Sequence, residues 1–543
     1  MNKLLNLGIF TVFTIAALFF FSPLLRNFTG LLPDDSDGVV ITWHLNKFVQ
    51  NPTFIPEKLF QGNILYPNPY VQAYTDPYIT DSLIAYSFVK LTGEPVVAFN
   101  VNLMISQVLL LFFTFLFLKQ LTKNFWISAV FSLALGFSPI RLHYLGHLQM
   151  FSLYWVPLAG YFLLKLTESK KVVFIYLFFA ALLLQTLNSF LPGYFILFMA
   201  LGMTVGIGDL RQVLVKNFKH TIIAGLLALA ILLPYIRIYF LVSSIFDHTR
   251  PIRDSINFSL SPEEVFTKFF SLLLLLLFFI SVVHFFFNQR KGKSAISYLL
   301  LAVSSYILSL GPALHYFGKT IKVLVPLIKV WLPIPLPYMV AYYLLPGFNG
   351  FRTPSRWIFM FGFFIVVFSA VVLTKFFEKL SGKVKFLSLM GVFLLVVFTT
   401  KTPNFYQIPK VAEYPKVYSW LRAQPGKIAI EMPIYFWRNQ NLVKIESYRM
   451  LFGLYHSKLM INGTTGFTPA PFEQNVEFLQ KNFPGPESIT MIKSLKVDYL
   501  IIHEKELKDF WKDSYGIKIK ILNNNDKLKE IYSENGDIVY EIM

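Results

Sequence analysis

Long continuous apolar runs separated by short polar turns set the pattern of this chain. Runs of about 17 to 25 residues cross a bilayer, and such runs fall near 4–25, 96–118, 125–140, 148–166, 172–188, 193–208, 220–242, 265–287, 295–312, 356–374 and 386–400. Backbone in lipid must satisfy its own hydrogen bonds, and none of these runs shows the short alternating segments of a barrel, so they predict helices. The first run is preceded only by Lys3 and followed by no small-residue cleavage site, which predicts a retained span. Between Gly311 and Pro346 lies a Pro-rich apolar stretch, 323–345. It must cross an even number of times if the basic loop at 375–385 is to stay inside, so it predicts a re-entrant or broken hairpin beside about eleven full spans.

Past Pro403 the pattern becomes that of ordinary globular sequence. Helices are expected at 414–421, 472–479 and 487–495, and strands at 427–433 and 497–503. The expected architecture is therefore a polytopic α-helical membrane domain over 1–402, with a long first external loop at 26–95, and a C-terminal soluble α/β domain over 403–543.

Charge orients this arrangement. Lys119 and Lys123, Lys165 to Lys171, Arg211 to Lys219, Arg290 to Lys293, and Lys375 to Lys385 occupy alternate loops, which places those loops in the cytoplasm. Asp34, Asp35, Asp37, Asp76, Asp81, Asp247, Asp254, Glu263 and Glu264 occupy the opposite loops, which face outward. The expected location is the cytoplasmic membrane, with the N-terminus inside and the C-terminal domain outside. The chain is 55% hydrophobic and 15% charged, so membrane lipids are its expected surroundings. Its net charge of +19 is explained by basic cytoplasmic turns beside anionic lipid and calls for no nucleic acid. The absence of cysteine excludes a disulfide framework, a thiolate nucleophile and a cysteine metal site.

Candidate chemistry gathers on the outward side. The first external loop carries Asp34, Asp35 and Asp37 just after the first span, and Asp76 further on. A carboxylate there can take the proton of an acceptor hydroxyl or amine, and the Asp35/Asp37 pair can hold a divalent cation, magnesium or manganese, against a phosphate. The plainer reading is a solvated turn capping a helix that starts near Val39. In the second external turn Arg141, His143, His147 and Gln149 recur at spacings that can bring them together for phosphate or substrate contact; interfacial anchoring is the alternative. Arg237 sits in an apolar run near its outer end, as a substrate contact or a snorkelling side chain. Arg352 and Arg356 lie outside against the positive-inside trend, either to bind a polyprenyl phosphate or to pair with the acidic loop.

Asp37 followed by Trp43, residues 59–67, Tyr74-Thr75-Asp76-Pro77, residues 91–100, 137–149 and 351–357 together resemble a family of large prokaryotic membrane proteins related to the GT-C glycosyltransferases. Glu431-Met432-Pro433, residues 461–467 and 497–503 resemble that family's C-terminal domain, so the likeness runs over nearly the whole chain. The resemblance implies hexosyl or pentosyl transfer from a polyprenyl-phosphate-linked donor to a lipid, glycan or protein acceptor on the outer face. It also implies a catalytic acid residue in the first external loop, matched best by Asp37, with Asp76 as second carboxylate, and Arg141, His143, His147, Arg352 and Arg356 on the donor phosphate. Competing readings are a lipid or polysaccharide transporter, which should show internal repeats and charged residues at the midplane, and a non-catalytic envelope assembly protein.

Overall fold

The computed structural model describes residues 2–247, 250–287, 293–327, 329–399, 403–439 and 441–543. Arg290, Lys291 and the boundary residue Thr402 lie outside the described residues. The chain folds into two compact units. The first gathers Met1–Leu25, Asn102–Leu233 and Thr249–Asn404; the second gathers Arg26–Val101, Pro234–His248 and Phe405–Met543.

The first unit is helical. Among the described residues of the chain, Val97–Thr122, Leu148–Ser169, Phe218–Ile245 and Pro354–Lys379 are long and apolar enough to cross a membrane, and Leu4–Phe20, Phe125–Gly136, Val173–Asn188 and Ser294–Ser309 are shorter apolar helices. The expected span 265–287 is broken, Pro262–Lys268 turning by 116° into Leu272–Phe287, whereas the expected 193–208 run is the helix Phe190–Gly206, which turns by 105° at its end into Gly208–Lys216. The 105° bend falls where the run changes from apolar to charged residues, at Asp209 and Arg211. Pro354–Lys379 forms the core of its unit, with 89% of its most apolar window buried. Its Gly362 admits the Ile140 side chain so closely that a Cβ there would clash with it, and Phe363 stacks on Phe117 at 5.8 Å.

The 323–345 stretch departs from expectation. Instead of a re-entrant or broken hairpin there is a β-hairpin, Lys322–Val325 with Val330–Pro333, followed by the eight-residue helix Pro337–Leu344. Pro326, Pro333, Pro335 and Pro337 recur too often for a helix to run, because each lacks an N–H and excludes the helical conformation before it.

The second unit is built on a five-stranded sheet of β1 (Ile428–Met432), β2 (Leu459–Met460), β3 (Tyr499–His503), β4 (Leu528–Glu534) and β5 (Asp537–Ile542). The spatial order is β4-β5-β3-β1-β2, with β1 parallel to β2 and β3 and the β4/β5 hairpin antiparallel. All five residues of β1 are buried, as expected of a parallel strand covered on both faces by helices.

Residues from the 26–95 segment complete this sheet. The Met460 N–H donates to Asn63 O at 2.8 Å, Tyr66 N–H donates to Met460 O at 2.9 Å, and Leu65 N–H donates to Asn462 O at 3.0 Å, so the short β2 edge is covered. Asn63 also donates its side-chain amide to Gly453 O and Lys458 O while accepting from Trp43 Nε1 at 3.1 Å. Leu31–Leu32 pairs antiparallel with Tyr406–Gln407. The 403–543 sheet therefore shares its core with the loop that carries the aspartates.

Candidate functional site

In the second unit the helix Asp37–Gln50 begins on the acidic turn. Asp34 Oδ1 accepts from Ser36 N–H at 2.9 Å and from Gly38 N–H at 3.0 Å, which satisfies amides that the helix start leaves without partners. Asp34 thus caps this helix start through Oδ1. Asp35 pairs with Lys444 Nζ at 2.8 Å, and the carboxylate raises the Lys444 pKa. Asp37 is exposed in the first helical turn, where the helix dipole favours its negative charge. Asp76 is half-buried and follows Tyr74, whose ring meets Phe467 edge-on at 5.2 Å and Phe246 at 5.8 Å.

Two other groups of this loop are more enclosed than its candidate acids. His44, two turns beyond Asp37, is buried against Trp43, and burial lowers its pKa to about 4 even though its Nδ1 bonds Gln72 Oε1. Asp81 is fully buried in the first turn of Ile79–Thr92. In the sequence Asp81 looks like any helix-starting aspartate, and only its burial sets it apart. Arg237 lies on Phe218–Ile245 with its side chain 75% exposed and reaches Glu57 at 3.8 Å, so it is a surface pair rather than a buried charge.

The aspartates do not gather a metal ligand set. Asp34 Oδ1 is occupied by backbone amides, Asp35 is held by Lys444, and among the described residues no group of three or more His, Cys, Asp or Glu side chains is placed to hold a metal ion.

The first unit holds the cationic candidates. Ser138 caps the one-turn helix Pro139–Leu142 and so fixes Arg141. Arg141 is fully buried; its guanidinium lies 3.3 Å from the Phe151 ring centroid and donates through Nη1 to Met150 O at 3.4 Å. Its Nε and Nη2 are buried and meet no partner among the described residues. Burial works against its charge, which the ring face offsets by about 2 kcal/mol for a desolvated pair. Gln149, on Leu148–Phe151, is also buried and its Oε1 meets no partner among the described residues.

His143 packs edge-on against Phe269 at 4.7 Å. Burial lowers its pKa, and His147 and Lys268 push it the same way, so it is neutral at pH 7 and offers a single N–H. His147 occupies the residue before Leu148–Phe151.

The structure brings this turn to the one that carries the other two arginines. Tyr144 OH donates to Ser355 O at 3.4 Å, and the Arg356 charge partly offsets the burial that raises the Tyr144 pKa. Residues 351–357 are held in turn by Tyr338 OH, which donates to Phe351 O at 3.0 Å, and by Ser255 Oγ, which donates to the same carbonyl at 3.2 Å. Arg352 is exposed and lies 5.4 Å from the Phe258 ring, while Arg356 is half-buried. Tyr144 thus joins two sequence-distant turns of one unit, one carrying Arg141 and His143 and the other Arg352 and Arg356.

No protein-family model matches the sequence, and no curated protein matches it. Among solved structures, the arabinofuranosyltransferase AftD from Mycobacteria matches 100% of this chain at 12% identity with a TM-score of 0.59, over 40% of its own length. A mutant form of AftD gives a TM-score of 0.54 over 41% of its chain. ArnT from Cupriavidus metallidurans, bound to undecaprenyl phosphate, aligns over 98% of both chains at 10% identity with a TM-score of 0.49. The chain thus spans about two fifths of the length of AftD. At such identity the likeness speaks for fold alone, and the fold of this membrane-embedded, mainly helical chain is GT-C-like.

Proposed function

We propose that the chain is a membrane glycosyltransferase that moves a sugar from a polyprenyl-phosphate-linked donor to a lipid, glycan or protein acceptor at the outer face of the cytoplasmic membrane. The observation that carries this reading is the match of the entire chain, membrane helices and sheet together, to the fold of an enzyme named for arabinofuranosyl transfer. The joining of the turn that carries Arg141 and His143 to the turn that carries Arg352 and Arg356 is consistent with an anionic donor. The proposal includes about eleven spans, an internal N-terminus and an external 403–543 region.

In this reaction the acceptor oxygen bonds to the anomeric carbon as the bond from that carbon to the phosphate oxygen breaks. The electron pair leaves on the polyprenyl phosphate, and the acceptor proton passes to a carboxylate. Asp37 is the proposed base, being exposed and placed at a helix start; Asp76 and the Lys444-paired Asp35 are the secondary carboxylates. Arg141, His143, His147, Gln149, Arg352 and Arg356 are the proposed donor contacts, and neutralising the departing phosphate supplies the larger share of the rate. Arg237, paired with Glu57, is assigned a peripheral substrate contact.

The test is transfer of labelled hexose or pentose from a panel of polyprenyl-phosphate donors by the purified chain in lipid nanodiscs. Asp37→Asn should reduce turnover by about 10²- to 10⁴-fold, the contribution of a general base, with thermal stability nearly unchanged because the side chain is exposed. Full activity in the variant would remove Asp37 as base, and a wild-type chain inert on every donor would count against the transferase reading.

A further inference from the structure

Two-stranded hairpins are marginal in water unless one face is covered, yet the Lys322–Val325/Val330–Pro333 hairpin shows apolar side chains on both faces. Val323 opposes Leu332 on one face and Leu324 opposes Trp331 on the other, and these four are 42% to 61% exposed. Leu327 at the turn is 93% exposed. The helix Pro337–Leu344 that follows also leaves Tyr343 and Leu344 exposed, at 68% and 74%.

The base of the hairpin is firmly tied to its own unit. Leu314 N–H donates to Ile334 O at 3.1 Å, Ile321 N–H to Leu314 O at 2.8 Å, and Leu336 N–H to Pro312 O at 3.0 Å. The neighbouring turn donates Phe317 N–H to Glu263 Oε1 at 2.6 Å and Gly318 N–H to Ser261 Oγ at 2.9 Å. An apolar arm is thus held out from the end of the apolar helix Ser294–Ser309.

We propose that this arm is a membrane-surface anchor that lays its two apolar faces into the boundary between lipid headgroups and acyl chains. Between Gly311 and Leu345 the chain has three lysines, Lys319, Lys322 and Lys329, and no acidic residue. All three lysines are exposed, so their charges are complementary to anionic lipid headgroups. Trp331 beside these lysines matches the chemistry of the interface, where an indole keeps its ring in the apolar layer and its N–H in the polar one. A protein partner of ordinary composition would not call for an arm that is apolar on both faces and cationic at its edges; lipid surrounds an inserted hairpin from both sides. This assignment is independent of the reaction.

The absence of cysteine permits a clean test on the full chain in nanodiscs containing phosphatidylglycerol. Leu327→Cys carries an environment-sensitive fluorophore, and Lys529→Cys, on an exposed position of β4, carries the same probe as reference. Lipids bearing a nitroxide high on the acyl chain should quench the 327 probe at least about twofold, with aqueous iodide having little effect, whereas the 529 probe should respond to iodide alone. Val323→Cys provides the same measurement within the strand if the tip variant folds poorly. Iodide quenching at 327 equal to that at 529, without lipid quenching, would place the arm in water and overturn the proposal. Protection from both quenchers would overturn it in favour of a second protein surface.

Discussion

The two units each bury an arginine, and the two residues could hardly be treated more differently. Arg449 is 2% exposed and its guanidinium is saturated: Nη1 donates to Glu446 Oε1 and Pro433 O, both at 2.7 Å, Nη2 to Glu506 Oε2 at 2.8 Å, and Nε lies 3.3 Å from Glu431 Oε2. Arg141 has an aromatic face and one long bond to a carbonyl, with no carboxylate opposite it among the described residues. A buried cation with a full complement of carboxylates ties elements together; one with donors to spare is positioned for an anion that comes and goes. Arg449 belongs to the framework at the carboxyl ends of the parallel strands β1 and β3, whereas Arg141 belongs to the proposed chemistry.

Truncating Arg449 should give the largest effect. Arg449→Ala leaves Glu446 buried without a cation and Glu431 with His503 alone, so the chain should lose about 3–5 kcal/mol of stability, read as a collapse of the thermal transition of the second unit. A variant that melts with the wild type would show that water or protonation replaces the guanidinium and would erase the distinction between the two arginines. Arg141→Gln should behave in the opposite manner. Its melting should change little, since an unmatched buried charge is removed, while donor kcat/KM should fall about 30- to 100-fold, corresponding to about 2–3 kcal/mol for a charged hydrogen bond. A large drop in melting temperature with unchanged kcat/KM per folded molecule would assign Arg141 to the framework as well.

The contrast also marks what could be read from the chain. The apolar runs were legible as helices because a long hydrophobic stretch admits few alternatives in lipid, and Arg352 and Arg356 stood out because they depart from the charge trend, Arg141 because of its spacing from His143, His147 and Gln149. Asp34 was legible in type but ambiguous in role: the same residue that offers a carboxylate to chemistry is a favoured cap, and only its bonds to Ser36 and Gly38 choose. The 323–345 stretch was misplaced because apolar composition alone does not separate a membrane hairpin from a β-hairpin at the surface. Asn63 joins Gly453 across 390 positions of sequence, and no local pattern announces a contact of that range. Glu446 and Arg449 lie on the helix Val443–His456, whose mixed polar sequence conceals that both are buried.

His503 offers a finer probe of the saturated side. Its Nδ1 bonds Asp537 Oδ1 and its Nε2 bonds Glu431 Oε2, both at 2.8 Å. Burial opposes its charge, but these two carboxylates outweigh burial and raise its pKa from 6.5 to about 9. The folded state therefore holds this proton more tightly than the unfolded chain. The corresponding stability is fully present below pH 6.5 and is lost as pH rises through about 9. Over that window the thermal transition of the second unit should weaken by about 3 kcal/mol, while His503→Gln, which holds no such proton, should be less stable at pH 6 and show a flatter profile. Glu431 reinforces the sign: burial would raise its pKa, yet His503 and Arg449 hold it down at about 2, so it stays ionised throughout the titration. If the wild type and His503→Gln lose stability in parallel between pH 6.5 and 9, the imidazolium is not what Glu431 and Asp537 hold, and Arg449 alone carries the positive charge of the cluster.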